Sequence, residues 1–172
     1  MPRLRIGFLI LATASLLAAC SSIVPPAKGP VTATTVPAQL TQGSIMAAIN
    51  GTRAANGRPP LRYSTSLEAA ARSQASLMAA RDTLSHNLGV TLRQRVTNAG
   101  YAGAVGENVA GGQSTLDQAI SGWLASPAHR DTLLSTKFEE FGLAVATVPA
   151  EKNSKYGVYW AFIAGGPFEA WH

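Results

Sequence analysis

The stretch from Trp123 to Gly142, WLASPAHRDTLLSTKFEEFG, joins a helix signal to a buried-strand signal through one histidine, and it constrains the fold more than any other part of the chain. Ser126-Pro127 predicts a helix start, because Ser is a favoured N-cap and Pro is favoured at the first helical position, where its missing N–H has no partner to lose. The helix expected from it covers Ala128 to Leu134 and puts His129 in the first turn. There the positive end of the helix dipole disfavours an imidazolium and leaves a neutral ring able to accept a proton or bind a metal. Phe138, Phe141, Leu143, Val145 and Val148 follow as an apolar, partly alternating run, the pattern of a strand with a buried face. His129 is therefore expected to be held between two core elements.

The N-terminus has to be set aside before composition is read. Residues 1–20 have the form of an export signal, with Arg3 and Arg5 ahead of an apolar run from Ile6 to Ala19 that is too short for a comfortable membrane span. Leu17-Ala18-Ala19-Cys20 has the form of a bacterial lipobox, in which Cys20 becomes the lipid-modified first residue. Cys20 is the only cysteine of the 172 residues, so the exported part cannot rely on disulfides or on a cysteine nucleophile. Residues 21–40 carry Pro25, Pro26, Pro30 and Pro37 without a periodic apolar face, which predicts an extended tether. The domain proper is expected over residues 41–172, about 130 residues, enough to bury around two thirds of the extended-chain surface. The expected product is lipid-anchored to the cell envelope and monomeric, with Ser21 after Cys20 pointing to the outer membrane in a diderm cell. Losing Arg3 and Arg5 lowers the formal charge from +5 to +3, and no basic run with interleaved aromatics remains. That excludes nucleic acid as a natural partner.

Within the domain, Ile45, Met46 and Ile49 recur at helical spacing over Ser44 to Ala55, and Asn56-Gly57 is a C-terminal stop. Pro59-Pro60 forces an extended link. A second helix is expected over Ser66 to Arg81, capped by Ser66, with a close-packing stripe of Leu67, Ala70, Ala71, Ala75 and Met78. Leu84-Ser85-His86-Asn87 reads as a turn, and Val90 to Ala99 as a short helix. The segment Tyr101 to Gly112, YAGAVGENVAGG, sets one carboxylate, Glu107, among small residues. Ser114-Thr115-Leu116-Asp117 opens a further helix with Leu116, Ala119, Ile120 and Trp123 inward. A polar turn at Glu151 to Lys155 leads into a second strand, Tyr156 to Ala164, so the two late strands form an antiparallel hairpin. Helices followed by a few strands give an α+β class layered around an antiparallel sheet.

Asn50-x-x-Arg53-x-x-x-Gly57, Pro60-Leu61, Ser85-His86, Gly106-Glu107-Asn108-Val109-Ala110, Trp123-x-x-Ser126-Pro127-x-His129-Arg130, Leu133-Leu134, Phe138, Gly142 and Tyr159-Trp160 together resemble the CAP superfamily of cysteine-rich secretory, antigen 5 and pathogenesis-related proteins. The resemblance spans Ser44 to Phe168 and is closest to short bacterial members without disulfides. It implies an α-β-α sandwich with a central antiparallel sheet and a cleft lined by two histidines and two acids. By motif position these are His86, Glu107 and His129, with Ser126 where the remaining acid usually falls. It also implies binding of sterols, fatty acids and other lipids, or engagement of other proteins, which for an anchored domain means small apolar ligands or envelope partners, and, where the acids are complete, binding of zinc or another divalent ion.

The same residues can be weighed without the family. His86 and His129 lie 43 positions apart, so no local ligand spacing exists. Neutral imidazoles suit Zn²⁺, and Glu107 could complete a three-ligand shell or orient one histidine from behind. The alternative reading has each histidine satisfying nearby backbone or carboxylate groups in a polar cleft. Ser126, His129 and Glu107 are the residue types of a nucleophile, base and orienting acid, which keeps a metal-assisted or serine-type hydrolase of envelope material as the second reading. No G-x-S-x-G elbow supports it, and Ser126-Pro127 is better explained as a helix cap. Ser85, beside His86, is expected to bond backbone. Of Glu139 and Glu140 one is expected to face solvent, Arg130 to be a solvated helix charge, and Trp123 and Trp160 to be core.

Overall fold

A computed structural model describes residues 40–171. The expected signal sequence, Cys20 and the tether lie outside them. Five helices and four strands follow in the order α1 Gln42–Ala55, β1 Arg62–Tyr63, α2 Thr65–Arg81, α3 Leu92–Asn98, β2 Ala104–Gly111, α4 Leu116–Ala125, α5 Pro127–Leu134, β3 Glu140–Thr147 and β4 Val158–Gly166. Short 3-10 turns occupy Ala150–Lys152 and Phe168–Trp171. Among the described residues no helix is long and apolar enough to cross a membrane.

The four strands form one sheet in the order β1-β3-β4-β2. The expected hairpin is present, with β3 antiparallel to β4, and β2 lies antiparallel on the other side of β4. Two-residue β1 runs parallel to β3, so the sheet is antiparallel in its three long strands and mixed overall. β4 is buried along its whole length, and its side chains sort by twos. Trp160, Phe162 and Ala164 join the cluster under α1, α4 and α5, whereas Tyr159, Ala161 and Ile163 join the cluster under α2 and α3. Helices on both faces of one sheet make the α-β-α sandwich.

The Ala-rich stripe of α2 packs as closely as expected. A Cβ on Gly142 of β3 would sit 2.0 Å from the Glu68 amide nitrogen and 2.3 Å from the Leu67 carbonyl carbon, so only glycine lets the start of α2 lie on the sheet here. Its cap is Ser64, whose hydroxyl accepts from the Leu67 N–H, and not Ser66, which stands inside the helix. The serine two residues earlier caps because the chain leaves β1 at Tyr63 and has to turn at once.

The segment 101–112, which carried no element in the sequence reading, contains β2. Its glycines and alanines hide a strand that has one neighbour in the sheet and is otherwise covered by α5 and α4. Elsewhere two polar residues of α1 hold loops. Asn50 exchanges hydrogen bonds with both backbone groups of Leu61. Arg53 is fully buried and donates to the carbonyls of Pro59, Leu133 and Ser135, tying the end of α1 to the end of α5.

Candidate functional site

His86 stands in the turn between α2 and α3, Glu107 in β2, and His129 in the first turn of α5. The fold gathers these three, which are dispersed in the sequence, at the edge strand β2. His86 Nδ1 lies 2.9 Å from Glu107 Oε2, and the His86 and His129 ring centres are 6.4 Å apart with the planes tilted by 33°. The Glu107 side chain is only 2% exposed, but that of His86 is 56% exposed, so the pair runs from the interior to the surface.

A residue the sequence reading did not single out completes the arrangement. Arg95, on α3, is buried and donates from Nη2 to Glu107 Oε1 at 2.5 Å. Its Nη1 donates to the Val90 carbonyl at 2.6 Å and to the His86 carbonyl at 3.3 Å, so one guanidinium fixes both the carboxylate and the turn that carries the histidine. The signal was present in the sequence. Thr91 and Gln94 form a capping box that sets the register of α3, and Arg95 then falls beside Val96 on the inward stripe. An arginine on an inward face needs an acceptor, and Glu107 is the next carboxylate along the chain.

Two further residues hold the histidine backbones. Asn108 Nδ2 donates to the His129 carbonyl at 2.8 Å, and Gln74 Nε2 donates to the Ser85 carbonyl. Each of Gln74, Arg95 and Asn108 leaves one buried polar atom without a partner among the described residues. The walls of this cleft are thus built from polar groups placed by position at some cost in satisfaction.

The two rings have opposite proton affinities. The hydrogen bond to Glu107 raises the pKa of His86 above the ordinary histidine value, against the lowering effect of its partial burial. Burial lowers that of His129, and the neighbouring His86 charge lowers it further. The two shifts favour the protonated form of His86 and the neutral form of His129.

Ser126 occupies the N-cap position of α5, yet its hydroxyl makes no capping hydrogen bond; Pro127 at the first helical position supports the start instead. Nor is that hydroxyl bonded to His129. The Ser85 hydroxyl is spent on the backbone of Asn87, accepting from its N–H at 3.1 Å and donating to its carbonyl at 3.0 Å. Trp123 and Trp160 are core, their indole N–H groups donating to the carbonyls of Val109 and Gln113. Arg130 is exposed and donates to Asn56 Oδ1, while Glu139 is exposed and Glu140 half-buried beside Arg62.

These positions can be set beside known proteins. The family model for the cysteine-rich secretory protein family, CAP, matches residues 46–163. The chain belongs to that family. An outer surface protein of Borrelia burgdorferi has the same fold, with a TM-score of 0.62 and 22% identity over 73% of this chain and 91% of its own. An extracellular protein of Bacillus anthracis containing an SCP domain gives 0.63 and 24% identity over 80% of this chain and 45% of its own. A cysteine-rich secretory protein of Staphylococcus aureus gives 0.53 and 21% over 71% and 37%. The chain thus spans less than half the length of the last two. No curated protein matches it by sequence.

For this CAP domain the fit of a metal ion is a question of donors. Zinc takes four ligands in a structural site and three with an open position in a catalytic one. Here both Glu107 oxygens are already engaged, one by a guanidinium, and among the described residues no group of three or more His, Cys, Asp and Glu converges on a point. The CAP cleft of this chain presents two imidazoles and a carboxylate that orients one of them, which does not amount to a zinc shell. What it can do is present His86 as a donor and His129 as an acceptor on a firm base.

Proposed function

We propose that the chain is an exported, lipid-anchored CAP-domain lipoprotein that acts as a non-catalytic binding module for lipid-like small molecules or envelope partners, with the His86/Glu107/His129 cleft as its polar recognition edge. The observation that carries this reading is the engagement of Glu107. A carboxylate bonded at both oxygens, with Arg95 behind it, is a fixture that positions His86 rather than a free base, and neither Ser85 nor Ser126 has its hydroxyl on a histidine. Export agrees with the expected signal sequence and with the descriptions of similar folds as outer-surface or extracellular proteins.

The test uses the full chain and its His86→Ala/His129→Ala double variant. Both are assayed for lipase, esterase and wall-hydrolase turnover and for binding of a lipid panel. Turnover in the parent that is abolished in the variant would establish the hydrolase instead. Calorimetric titration with Zn²⁺ decides the ion separately: saturable one-site binding lost in the double variant would restore a metal to the cleft. Changing Cys20 to Ala should release the protein from the membrane fraction, and retention there would refute the anchor.

A further inference from the structure

The outer edge of β2 is a row of main-chain groups, and part of that row is open. The Gly112 N–H donates to the Val158 carbonyl in the register of the β2/β4 ladder, and residues of an antiparallel strand alternate between bonding their neighbour and facing away from it. Ala104, Gly106, Asn108 and Ala110 therefore bond β4, whereas Gly103, Val105, Glu107 and Val109 turn their N–H and C=O groups outward. Gly165 agrees: it stands opposite Val105, and its carbonyl accepts from the Glu139 N–H on the β3 side. The Gly103 carbonyl accepts from Arg93 Nη1 at 3.0 Å and the Val109 carbonyl from the Trp123 indole at 3.2 Å. Between these two caps, no hydrogen bond among the described residues reaches the main chain of Val105 or Glu107.

The open stretch gives onto a concavity of about 500 Å³ whose wall includes Val105 and Gly106. Val105 packs its side chain on the α2/α3 cluster and Gly106 has none, so what the two present to the concavity is main chain. The other walls carry positive charge. Arg58, Arg130 and Lys137 line the space and are all exposed, against one lining carboxylate, Asp131, and Trp171 completes the wall. Beneath it the buried Arg53 donates only to carbonyls, so no carboxylate among the described residues meets its charge.

An unpaired edge asks for a partner that alternates N–H and C=O at strand spacing, which an extended polypeptide supplies and a hydrocarbon chain does not. Every second side chain of such a strand points to the same face, so a chain laid along β2 aims alternate residues at the three cations, where acidic ones are favoured. We infer that β2 accepts an extended acidic segment of a partner protein as an added strand, its main chain on Val105 and Glu107 and its alternate carboxylates on Arg58, Arg130 and Lys137. The inference deepens the proposed function by naming the kind of partner and its seat, and it takes from that reading only that the domain binds envelope partners.

The test titrates the full chain with a hexapeptide of alternating valine and glutamate, blocked at both ends. Its controls are the valine/lysine peptide and the valine/glutamate peptide methylated on every backbone nitrogen. Calorimetry reads affinity, and amide hydrogen exchange reads the seat. The expected result is saturable binding of the acidic peptide that slows exchange at the Val105 and Glu107 amides about tenfold or more. Affinity should fall about tenfold in Arg58→Ala/Lys137→Ala, a change of exposed side chains, and by at least as much for either control peptide. Val105→Pro removes one outward N–H and none that bonds β4, as an edge strand tolerates, so it should weaken binding with the melting temperature retained. Equal affinity for the methylated peptide, or unchanged exchange at both amides, would overturn the added strand, and equal affinity for the lysine peptide would overturn the acidic partner. Protection of both amides in the peptide-free chain that grows with protein concentration would assign the edge to a second copy instead. Each of these failures leaves the proposed function standing. Cleavage of the bound peptide, read by mass spectrometry, would overturn the non-catalytic reading and keep the seat.

Discussion

Two carboxylates, Glu107 on β2 and Asp82 at the end of α2, are each held by several donors, and they do different work. Asp82 ends α2 in the left-handed conformation, and its carboxylate accepts from the Ser154 hydroxyl, from the Tyr159 hydroxyl at 2.7 Å and from the Lys155 N–H at 2.8 Å. Its donors are two hydroxyls and a backbone N–H in or just after the β3–β4 loop, so it ties that loop to the end of the helix. Glu107 is held by a buried cation on one oxygen and by a surface histidine on the other. Multiplicity of bonds is therefore common to a knot and to a site; what separates them is whether one partner is a titratable side chain that reaches solvent, as His86 does.

The largest way to break the comparison is Arg95→Ala. It strands a buried carboxylate and should cost about 3–5 kcal/mol in urea unfolding, most of it recovered by Arg95→Met combined with Glu107→Gln. If the single change were nearly neutral, Glu107 would be no better anchored than a surface acid.

Asp82→Asn comes next. The three donors hold the Asp82 carboxyl below the usual carboxylate range, the Ser154 and Tyr159 hydroxyls foremost. A depressed acid contributes stability above its unfolded pKa and loses it as pH falls through the folded one. The parent should thus exceed the variant in melting temperature at neutral pH, by less than it exceeds Arg95→Ala, and the gap should close in acid. A gap that persisted there would remove the charge from the account of this knot.

His86→Ala should be the smallest of the three in stability, since Arg95 still holds Glu107. Its sign with pH is opposite. A histidine whose folded pKa is raised stabilises below its unfolded value of about 6.5 and loses that contribution as pH rises through the folded value. The difference between parent and variant should be visible near pH 5.5 and vanish in mild alkali, read by thermal unfolding across the range. Opposite pH signatures in the two variants would sharpen the contrast; identical ones would collapse it.

Much of this was legible in the sequence where the signal is local. The helix stop at Asn56-Gly57, the inward stripes of α2 and α4, the β3–β4 hairpin and the entry of α5 at Pro127 rest on capping, periodicity and turn chemistry, which a few residues encode. β2 was not legible, because Ala104 to Gly111 has neither alternation nor bulk; its strand character comes from pairing with β4, whose partner residues lie about fifty to sixty positions further along the chain. β1 was missed for the same reason, two residues made a strand by β3 alone. At the site, the motif identified His86, Glu107 and His129, but which groups surround Glu107 depends on how α3 packs. The inward stripe of α3 marks Arg95 as buried but does not by itself fix which acceptor it takes. The pocket that Arg58, Arg130, Lys137 and Trp171 line together was not legible, since they come from four separate segments of the chain.

The position of β4 has a consequence for how the chain reaches its folded form. VYWAFIAGG contains no charge and no proline, and left alone it has the composition of a self-associating segment. In the sheet it lies between β3 and β2, and both of these precede it in the chain. A polypeptide delivered N-terminus first therefore presents its stickiest strand last, to two neighbours already waiting on either side. The order of the strands acts as a schedule that shortens the time for which β4 stands uncovered.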